Sequence, residues 1–457
     1  MSLYQQFVKH VLYPLDRLRT GDYATITYLK EFEKTQFLSP EEIKQLAWTR
    51  LLHILNHAYT NIPYYRDAWD KVGVKPRDIQ TESDLLRIPL LEKTDVQHNL
   101  ERLVDPNFPK DKMAIDQTGG STGTPVKYYV SKDRRCSRTA ATMRHDRWAG
   151  HDIGYPMGSL WGAARDMPKP STKAKIRDTI IPNMPMFNSA VLTEEACLEY
   201  NETLKKYRPP VVLAYASSLG NFARILKRLG IEAYQPKGVI TSAETLDPED
   251  RKIIEEVCGC KVFNRLGCRE VSVIASECEK HDGLHIMGEG LYVEILKNGK
   301  HAAPGELGEI VVTDMLNLPM PLIRYRLKDT AAWKEGTCSC GRGLPRISEI
   351  AGRIASFLVT ADGQLCSGTL LTATIVSYRP TLGQIQMIQT EIGKITYKVA
   401  VGNESNFSQE DRDYLREKTS LYLGKETVID YEFVDHIPHE PSGKYLFSKS
   451  TIADQYI

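Results

Sequence analysis

The chain has no apolar run that approaches the length of a membrane-spanning helix. Such a helix needs roughly 20 consecutive apolar residues, and no segment of the 457 residues has them. The opening residues, MSLYQQFVKHVLYPLDRLRT, also lack the continuous apolar stretch and cleavage site of a secretory signal peptide. We therefore expect no membrane span and a cytoplasmic location.

The sequence also lacks an excess of charge of either sign. Lysine and arginine together number 59 and aspartate and glutamate 58, which gives a formal net charge of +1. Without a basic field or stripe, nucleic acid is not an expected partner. An anionic ligand must then be held by local groups, which favours a small phosphorylated molecule.

The length and the pattern of predicted elements indicate more than one domain. A single core stops growing at roughly 250–300 residues, and this chain is longer. The helical stretches ACLEYNETLKKY and LGNFARILKRLG alternate with the short apolar runs PVVLAYA and PKGVITS. This alternation predicts an α/β layered domain. The last hundred or so residues combine predicted strands with the helix SQEDRDYLREKTSLYL, which predicts a small α+β domain.

A loop rich in glycine and hydroxyl residues, DQTGGSTGTPVKYY, occupies residues 116–129. A kinase-type phosphate loop needs a lysine after its last glycine and opens a helix; this loop has neither feature, because a strand-like run follows. The glycines allow backbone N–H groups to turn inward, and the hydroxyls add donors for phosphate oxygens. The residues are Thr118, Gly119, Gly120, Ser121, Thr122, Gly123 and Thr124. On these residues alone, an ordinary surface turn is the alternative.

Three later segments carry further polar residues. Glu270 follows a glycine turn in VFNRLGCREVSV and is either a Mg²⁺ ligand or a solvated surface residue. Asp329 could accept both hydroxyls of a ribose or form a salt bridge with Arg324 or Arg326. Lys444 lies in the turn PHEPSGKYLFSKS and, taken alone, would be a solvated lysine.

In this order the segments resemble the adenylate-forming acyl ligase superfamily, and in detail its phenylacetate–CoA ligase branch with the capsular polysaccharide biosynthesis (CapK-like) relatives. The resemblance covers nearly the whole chain. The matching stretches are IPYYRDAW, TGGSTGTP, TSAETL, LGCRE, GLHI, NLPMPLIRYRLKD, CSCGRGLPRI, AGR and PSGK. It implies a large multi-layer N-terminal domain of ANL-type architecture (residues 1–352) and a small mobile α+β lid domain (353–457), with a hinge near 354–356.

The resemblance implies a role for each matching residue. The glycine-rich loop closes over the β- and γ-phosphates of ATP, Glu270 binds magnesium, Asp329 binds the ribose and Arg353 lies beside it. The C-terminal domain delivers Lys444 to the α-phosphate. The residues implied around adenine are Ser242, Ala243, Glu244, Leu266, Gly267 and Cys268.

The implied chemistry explains these residue types. A substrate carboxylate attacks the α-phosphorus and pyrophosphate leaves, so the developing negative charge must be met by cations and N–H donors. Because the loop has no lysine, Lys444 and Mg²⁺ must supply most of that charge. Arg269 stands where many relatives have serine or threonine and would add a positive charge near the α-phosphate. We expect Lys444, Glu270 and Arg269 to be the catalytic residues.

The sequence departs from the family at two further places. Leu266 replaces the usual aromatic residue against adenine, which suggests a lower affinity for the nucleotide. The acidic pair expected after AGR is absent, since the sequence reads GRIAS at residues 352–356. That position is the hinge for domain rotation in the family. The sequence therefore supports the acyl-transfer half-reaction less strongly than it supports adenylation.

The cysteines form a metal-ligand pattern. Cys338 and Cys340 form a C-x-C knuckle, and Cys278 and His285 lie about sixty residues earlier, with His281 as the substitute for His285. This soft-ligand set suits structural Zn²⁺, and four unlinked thiols are the alternative.

Two other short segments lack a firm role. We interpret Cys258 and Cys260 as buried thiols that do not form a second metal site. The segment YASS, residues 215–218, either lines an acyl pocket or caps a helix.

The leading functional hypothesis is ATP-dependent activation of a carboxylic acid to an acyl-adenylate, followed by transfer to a thiol, coenzyme A being favoured. One alternative transfers the acyl group to an amine or a carrier protein, as in polysaccharide or secondary-metabolite assembly. A second alternative is a non-catalytic protein that binds the nucleotide or is stabilised by zinc. The relatives also suggest a homodimer.

Overall fold

The computed structural model describes residues 2–118, 126–161, 186–188, 193–348, 350, 352–353, 357–363, 365–366, 371, 375, 382, 384–401, 407–438 and 446–456. Within them the α-helices are α1 (Leu3–Phe7), α2 (Tyr13–Thr20), α3 (Ala24–Thr35), α4 (Pro40–Asn61), α5 (Pro63–Lys71), α6 (Glu82–Leu85), α7 (Lys93–His98), α8 (Lys132–Trp148), α9 (Glu194–Tyr207), α10 (Ala216–Leu229), α11 (Pro248–Cys258) and α12 (Gln409–Leu423). A π-helical turn, Val8–Leu12, joins α1 to α2, and 3₁₀ turns are Pro76–Asp78, Leu100–Leu103, Lys110–Lys112 and Ala453–Gln455.

The strands of the same residues form two large sheets, a smaller C-terminal sheet and two short hairpins. They are β1 (Met113–Gln117), β2 (Lys127–Ser131), β3 (Met157–Trp161), β4 (Met186–Asn188), β5 (Val211–Tyr215), β6 (Gly238–Ser242), β7 (Lys261–Cys268), β8 (Ser272–Glu277), β9 (Leu284–Ile286), β10 (Leu291–Lys297), β11 (Lys300–His301), β12 (Gly308–Asp314), β13 (Tyr325–Ala331), β14 (Trp333–Lys334), β15 (Arg346–Ile347), β16 (Gly352–Arg353), β17 (Leu358–Val359), β18 (Leu365–Cys366), β19 (Ile385–Glu391), β20 (Lys394–Val399), β21 (Val428–Phe433) and β22 (Ser448–Ser450).

The largest sheet has the order β14-β15-β9-β8-β7-β6-β5-β3-β4. Its members β4, β3, β5, β6 and β7 are parallel, and β8, β9, β15 and β14 continue it with antiparallel pairs. All five residues of β6 are buried, as expected for a parallel strand covered on both faces. The predicted alternation of helices and strands in this region is therefore observed.

A second sheet is antiparallel and has the order β11-β10-β12-β13-β16. Every residue of β12 is buried, so this sheet also lies inside the molecule. The main hydrophobic core joins its strands to the helices α3, α4 and α5. Helix α4 begins at a capping box of Ser39 and Glu42 followed by Pro40, which is a strong signal for a helix N-terminus.

The C-terminal residues form a four-stranded sheet of order β21-β20-β19-β22, with its own apolar cluster that includes Leu415 and Leu423 of α12. Gln389 of β19 joins Val359 to this sheet, because its amide accepts from the Val359 N–H and donates to the Val359 carbonyl, both at 2.7 Å. The strand Gly352–Arg353 pairs instead with β13 of the second sheet. The predicted hinge, residues 354–356, lies outside the described residues, between these two attachments.

None of the helices in the described residues is long and apolar enough to cross a lipid bilayer.

Tyr65 of α5 holds the segment that leads into β13. Its hydroxyl donates to the Pro321 carbonyl at 2.6 Å and accepts from the Ile323 N–H at 3.1 Å. The variant Tyr65→Phe leaves both buried backbone groups without this partner, which costs about 1–3 kcal/mol. We expect a lower melting temperature in thermal denaturation followed by circular dichroism.

Tyr59→Phe is the matched control, because the Tyr59 hydroxyl donates to Asp70 in a more accessible hydrogen bond. It should leave the melting temperature close to that of the unmodified protein. Equal melting temperatures for the two variants would contradict the role assigned to Tyr65.

Candidate functional site

The predicted adenine segment lies at the carboxyl ends of the parallel strands. Tyr215, Ser242 and Arg265 are neighbours in the registers of β5, β6 and β7, and Ser242 is the last residue of β6. Ala243 then turns the chain with a positive φ of 71°. Ligands of open α/β sheets bind outside these strand ends, so the position of Ser242–Glu244 suits a ligand site.

Glu244 is bound by the segment YASS, which follows β5. The Ser217 N–H and hydroxyl donate to Glu244 Oε2 at 3.1 and 2.7 Å. The N-cap of α10 is Tyr215, and it makes no side-chain capping bond. The interpretation of the two serines as helix caps is therefore wrong, because Ser217 instead fixes the carboxylate of Glu244.

The glycine-rich loop is closed at its base by two hydrogen bonds. The Thr118 N–H donates to the Val126 carbonyl at 2.9 Å, and the Val126 N–H donates to the Thr118 hydroxyl at 3.0 Å. The loop leaves β1 and returns in β2, which pair with each other, as predicted from the strand-like runs on both sides. Gly119, Gly120, Ser121, Thr122, Gly123 and Thr124 lie outside the described residues.

Tyr128 connects this hairpin to the segment that carries Glu270. Its hydroxyl lies 2.7 Å from the Arg269 carbonyl, to which it donates, and 3.1 Å from Asp116 Oδ2. The ring is almost fully buried, so the contact is shielded from water. The base of the loop and the turn after β7 are thus held side by side.

Glu270 lies in the short turn between β7 and β8. Its carboxylate accepts a hydrogen bond from the hydroxyl of the buried Tyr325 at 3.1 Å. Its backbone carbonyl accepts from Arg138 Nη2, and Arg138 Nη1 donates to the Arg269 carbonyl at 3.3 Å. Sequence reasoning missed Arg138 and Tyr325, because no local motif surrounds an arginine whose partners are backbone carbonyls.

A buried ion pair lies directly behind the same turn. Arg134 Nε and Asp314 Oδ2 are 2.8 Å apart, with 2% and 1% of their side chains exposed. Arg134 Nη2 also donates to the Val271 carbonyl at 3.1 Å. Helix α8, the end of β12 and the turn that carries Glu270 are therefore joined through one guanidinium group.

Cys268 lies beside both predicted acidic residues. Burial, followed by the negative charge of Glu270, raises the pKa of the Cys268 thiol well above its ordinary value, and Asp329 acts in the same direction. The thiol is consequently protonated near neutral pH. Glu270 and Asp329, 59 positions apart in the sequence, thus share one neighbourhood.

Asp329 is paired with Arg353 in the backbone register of β13 and β16. The arginines offered as its alternative partners bind other carboxylates: Arg324 binds Glu294 at 3.0 Å and Arg326 binds Glu309. Next to this neighbourhood, Leu266 belongs to the main hydrophobic core. Lys444 lies outside the described residues.

The four predicted zinc ligands are brought together. The ligand atoms of Cys278, His285, Cys338 and Cys340 all lie within 4.8 Å of one another. Cys278 Sγ is 3.7 Å from Cys338 Sγ, and Cys340 Sγ is 3.4 Å from His285 Nε2. Ligand atoms around tetrahedral zinc stand roughly 3.4–3.8 Å apart, given bonds of about 2.0–2.3 Å, so this cluster has the dimensions of a zinc site.

The protonation states of His285 and Cys340 also suit the binding of Zn²⁺. Burial lowers the pKa of His285 to about 4, which keeps the imidazole neutral, and Nδ1 lies 3.3 Å from the Leu344 carbonyl. Donation from Nδ1 to that carbonyl leaves Nε2 for a metal. Burial opposes ionisation of Cys340, but the N–H and guanidinium of Arg342 outweigh it and lower the pKa of this thiol.

The alternative ligand His281 lies outside the cluster. Its Nδ1 is 3.4 Å from Glu277 Oε2, and its ring packs on Phe263 at a centroid distance of 4.7 Å. Among the other cysteines, Cys258 is buried and Cys260 half-buried, and both are free thiols. The prediction of buried thiols is therefore confirmed for Cys258, whereas Cys260 is only half-buried.

Comparison with known proteins identifies the relatives of this chain. Residues 358–451 match the family model of the CapK C-terminal domain. A phenylacetate-coenzyme A ligase of Aromatoleum evansii is 26% identical over 401 residues, 82% of this chain and 86% of that protein. Protein CapK of Staphylococcus aureus is 23% identical over 414 residues, 90% of each chain.

A solved structure supports the same fold. The crystal structure of a 2-hydroxyisobutyryl-CoA ligase in the postadenylation state, in complex with 2-HIB-AMP, superposes with a TM-score of 0.70 at 19% identity and covers 90% of both chains. The predicted ANL-type fold, with a large N-terminal α/β domain and a small C-terminal domain, is thereby confirmed. The chain therefore has the fold of the adenylate-forming ligases, is similar over 82% and 90% of its length to a phenylacetate-coenzyme A ligase and to protein CapK, and carries a CapK C-terminal domain in residues 358–451.

Proposed function

We propose that this protein activates a carboxylic acid with ATP and Mg²⁺, releases pyrophosphate, and transfers the acyl group from the adenylate to coenzyme A. The observation that carries the proposal is the contact of Tyr128 with Asp116 and Arg269. It fixes the base of the phosphate loop against the turn of Glu270. A phosphate-binding loop and a metal-binding carboxylate must lie this close to act on the same triphosphate.

Glu270 fits as a magnesium ligand. Glu270 is half-buried and its carboxylate is oriented by the hydroxyl of Tyr325, and hard oxygen ligands are those that Mg²⁺ prefers. When bound, the metal would neutralise phosphoryl charge during the departure of pyrophosphate. The protein contributes by holding the Glu270 carboxylate at a fixed distance from the loop.

Each of the remaining residues would contact a different part of the nucleotide. Ser242–Glu244, at the end of β6, would border adenine, and the carboxylate of Asp329 would accept the ribose hydroxyls. Arg269 and Lys444 would meet the charge that develops on the α-phosphate as the substrate carboxylate attacks. In this assignment each group stabilises charge or position, as expected for phosphoryl and nucleotidyl transfer.

The acyl acceptor has two candidates. Coenzyme A is favoured by the phenylacetate-coenzyme A ligases, which align with 70–82% of this chain. An amine or carrier protein is the second candidate, supported by the match of residues 358–451 to the CapK C-terminal domain. In this fold the C-terminal domain would present the acyl acceptor. The similarity of this domain to that of CapK therefore bears on the acyl-transfer step.

We also propose that Cys278, His285, Cys338 and Cys340 bind one structural Zn²⁺. Four protein ligands leave no open coordination position, so the ion would brace the fold and take no part in catalysis. The cluster ties the end of β8 and strand β9 to the loop after β14. The fit of the distances and the neutral His285 support the assignment.

The first test of the function is carboxylate-dependent release of pyrophosphate with ATP and Mg²⁺, screened over aryl, fatty, hydroxy and amino acids. Lys444→Ala should lower this release by roughly 10²–10³-fold, because one preorganised charge is lost. Lys425→Ala, an exposed lysine of the C-terminal part, is the control and should retain activity. Adding coenzyme A with the active acid should give a thioester that mass spectrometry detects.

An active acid whose adenylate is not passed to coenzyme A would favour the amine or carrier-protein acceptor. Near-normal adenylation by Lys444→Ala would contradict the role of Lys444.

Arg138 should position Glu270 without touching the substrate. Arg138→Ala removes the donors to the Arg269 and Glu270 carbonyls, and a hydrogen bond from a charged group contributes about 1.5–3 kcal/mol. We expect the Mg²⁺ concentration for half-maximal adenylation to rise by about tenfold or more, corresponding to ~1.4 kcal/mol or more. The KM for the acid should change little.

Arg135→Ala is the control, since Arg135 is exposed on the same helix. Glu270→Gln should show the same magnesium phenotype more strongly. An Arg138→Ala enzyme with an unchanged magnesium dependence would refute the positioning role.

The zinc assignment predicts close to one zinc ion per chain by elemental analysis of the purified protein. Cys340→Ser should lose most of the metal and lower the melting temperature, because metal binding to a structural site contributes directly to folding. Cys260→Ser should keep both, since Cys260 lies outside the cluster. Zinc content that is unaffected by Cys340→Ser would rule out this site.

A further inference from the structure

Helix α8 contacts both the candidate nucleotide site and the candidate zinc site. It has 17 residues, which gives a length of roughly 25 Å. Near its start, Arg134 and Arg138 donate to the backbone carbonyls of the turn 269–271. Its last residue, Trp148, belongs to the buried apolar cluster that includes two of the proposed zinc ligands, Cys278 and Cys338. One continuous helix therefore joins the two sites.

Trp148 packs against the parts of the chain that carry the other two zinc ligands. The ring of His285 meets the indole edge-on, with centroids 5.7 Å apart. Arg342, two residues after Cys340, lies over the indole, with Cζ 4.6 Å from the ring centroid. Gln36 Oε1 accepts from Trp148 Nε1 at 3.1 Å and from Arg342 Nε at 2.9 Å. The position of the indole therefore depends on the position of the zinc ligands.

Two residues before Trp148, Asp146 contacts the strand that leads into the nucleotide site. Asp146 Oδ1 lies 2.6 Å from Arg265 Nη2, and at most 10% of either side chain is exposed. Arg265 lies on β7 opposite Ser242, and its carbonyl accepts from the Ser242 hydroxyl at 3.2 Å. Asp146 thus holds β7 at the level of the proposed adenine segment.

The residues between these two contacts are packed without access to water. His145 is buried, and its ring centroid lies 4.3 Å from that of Trp148. Arg144 Nη1 binds Glu289 Oε1 at 2.5 Å, and both side chains are buried. Close-packed interiors are poorly compressible and transmit displacements. A displacement of Trp148 would therefore also move Asp146, which lies on the same helical turn.

The ion would hold the indole through its ligands. Bound Zn²⁺ would fix the four ligand atoms relative to one another, and with them the strand of His285 and the loop of Cys340. Removal of the ion would release this restraint, because metal binding at a structural site contributes directly to folding. The end of α8 would then lose part of the support on which the Asp146–Arg265 pair depends.

We propose that Asp146 is a positioning residue that, together with Trp148, couples the zinc site to the nucleotide site, so that zinc and ATP each strengthen the binding of the other. The inference rests on the proposed function and on the proposed zinc site. Asp146 acts through Arg265 and takes no part in the chemistry. Coupling between two binding sites is reciprocal and typically changes each affinity by a factor of about 5–150.

The test measures how firmly the full-length protein retains zinc with and without a bound nucleotide. The zinc-loaded protein is titrated with a zinc-selective chelator in excess Mg²⁺, alone or with saturating α,β-methylene-ATP, which cannot release pyrophosphate. We expect the analogue to raise the chelator concentration that removes half of the zinc by about fivefold or more. Isothermal titration calorimetry of the zinc-loaded protein measures the binding of the analogue independently of activity.

Variants at both ends of the connection separate local coupling from general stabilisation of the fold. Asp146→Asn removes the charge that holds Arg265 and should keep its zinc, yet the effect of the analogue on zinc retention should fall below about twofold. Trp148→Leu should give the same loss from the other end. Asp133→Asn is the control, since Asp133 lies on the same helix in an exposed hydrogen bond with Tyr28, and it should retain the full effect. Circular dichroism checks that each variant is folded.

The possible failures are distinguishable. A protein that binds the analogue with unchanged zinc retention would overturn the coupling and leave the proposed function intact. An undiminished effect in folded Asp146→Asn would assign the linkage to overall stability and overturn the role of Asp146. A zinc-loaded protein that binds no analogue would contradict the proposed function itself, and a protein purified without zinc would contradict the zinc assignment; either result also removes the coupling.

Discussion

The geometry of the candidate site depends on the buried contact between Arg134 and Asp314. Asp314 ends β12 of the five-stranded sheet, Arg134 lies in the first turn of α8, and the same guanidinium donates to the Val271 carbonyl beside Glu270. Both side chains are buried, and an unpaired charge in a buried position is very unfavourable. Helix α8 and the five-stranded sheet therefore cannot shift relative to the Glu270 turn without breaking contacts of a pair whose members have little access to solvent.

The contacts of Tyr128, Arg138 and Tyr325 build on that pair. All three reach the residues 269–270 from different elements: β2, α8 and β13. The turn is short and, lacking a core of its own, would be mobile if it were held only by its flanking strands. Packing these donors around it fixes the position of the turn that carries the proposed magnesium ligand Glu270. Such support is what a site on a turn needs if it is to hold a ligand with an accuracy of a fraction of an ångström.

The sequence predicted the elements better than it predicted how they meet. The helix–strand alternation around residues 196–242 and the C-terminal helix 409–423 follow from local periodicity, and both were correct. The cluster of Cys278, His285, Cys338 and Cys340 was also readable, because soft ligands are rare and their spacing is informative. By contrast, the role of Arg138 could not be predicted, because its partners are backbone carbonyls and no side-chain pattern in the sequence indicates them.

The point where the chain leaves the five-stranded sheet couples the two parts of the molecule. Among the described residues, Arg353 is the last that pairs with β13, directly opposite Asp329, and Val359 is already fastened to the C-terminal sheet through Gln389. Only five residues separate Arg353 from Val359. A rotation of the C-terminal domain about residues 354–356 would therefore pivot beside the proposed ribose-binding carboxylate. Displacement in a rotation grows with distance from the axis, so a rotation at the predicted hinge would change contacts near Asp329 less than contacts made by more distant parts of the C-terminal domain.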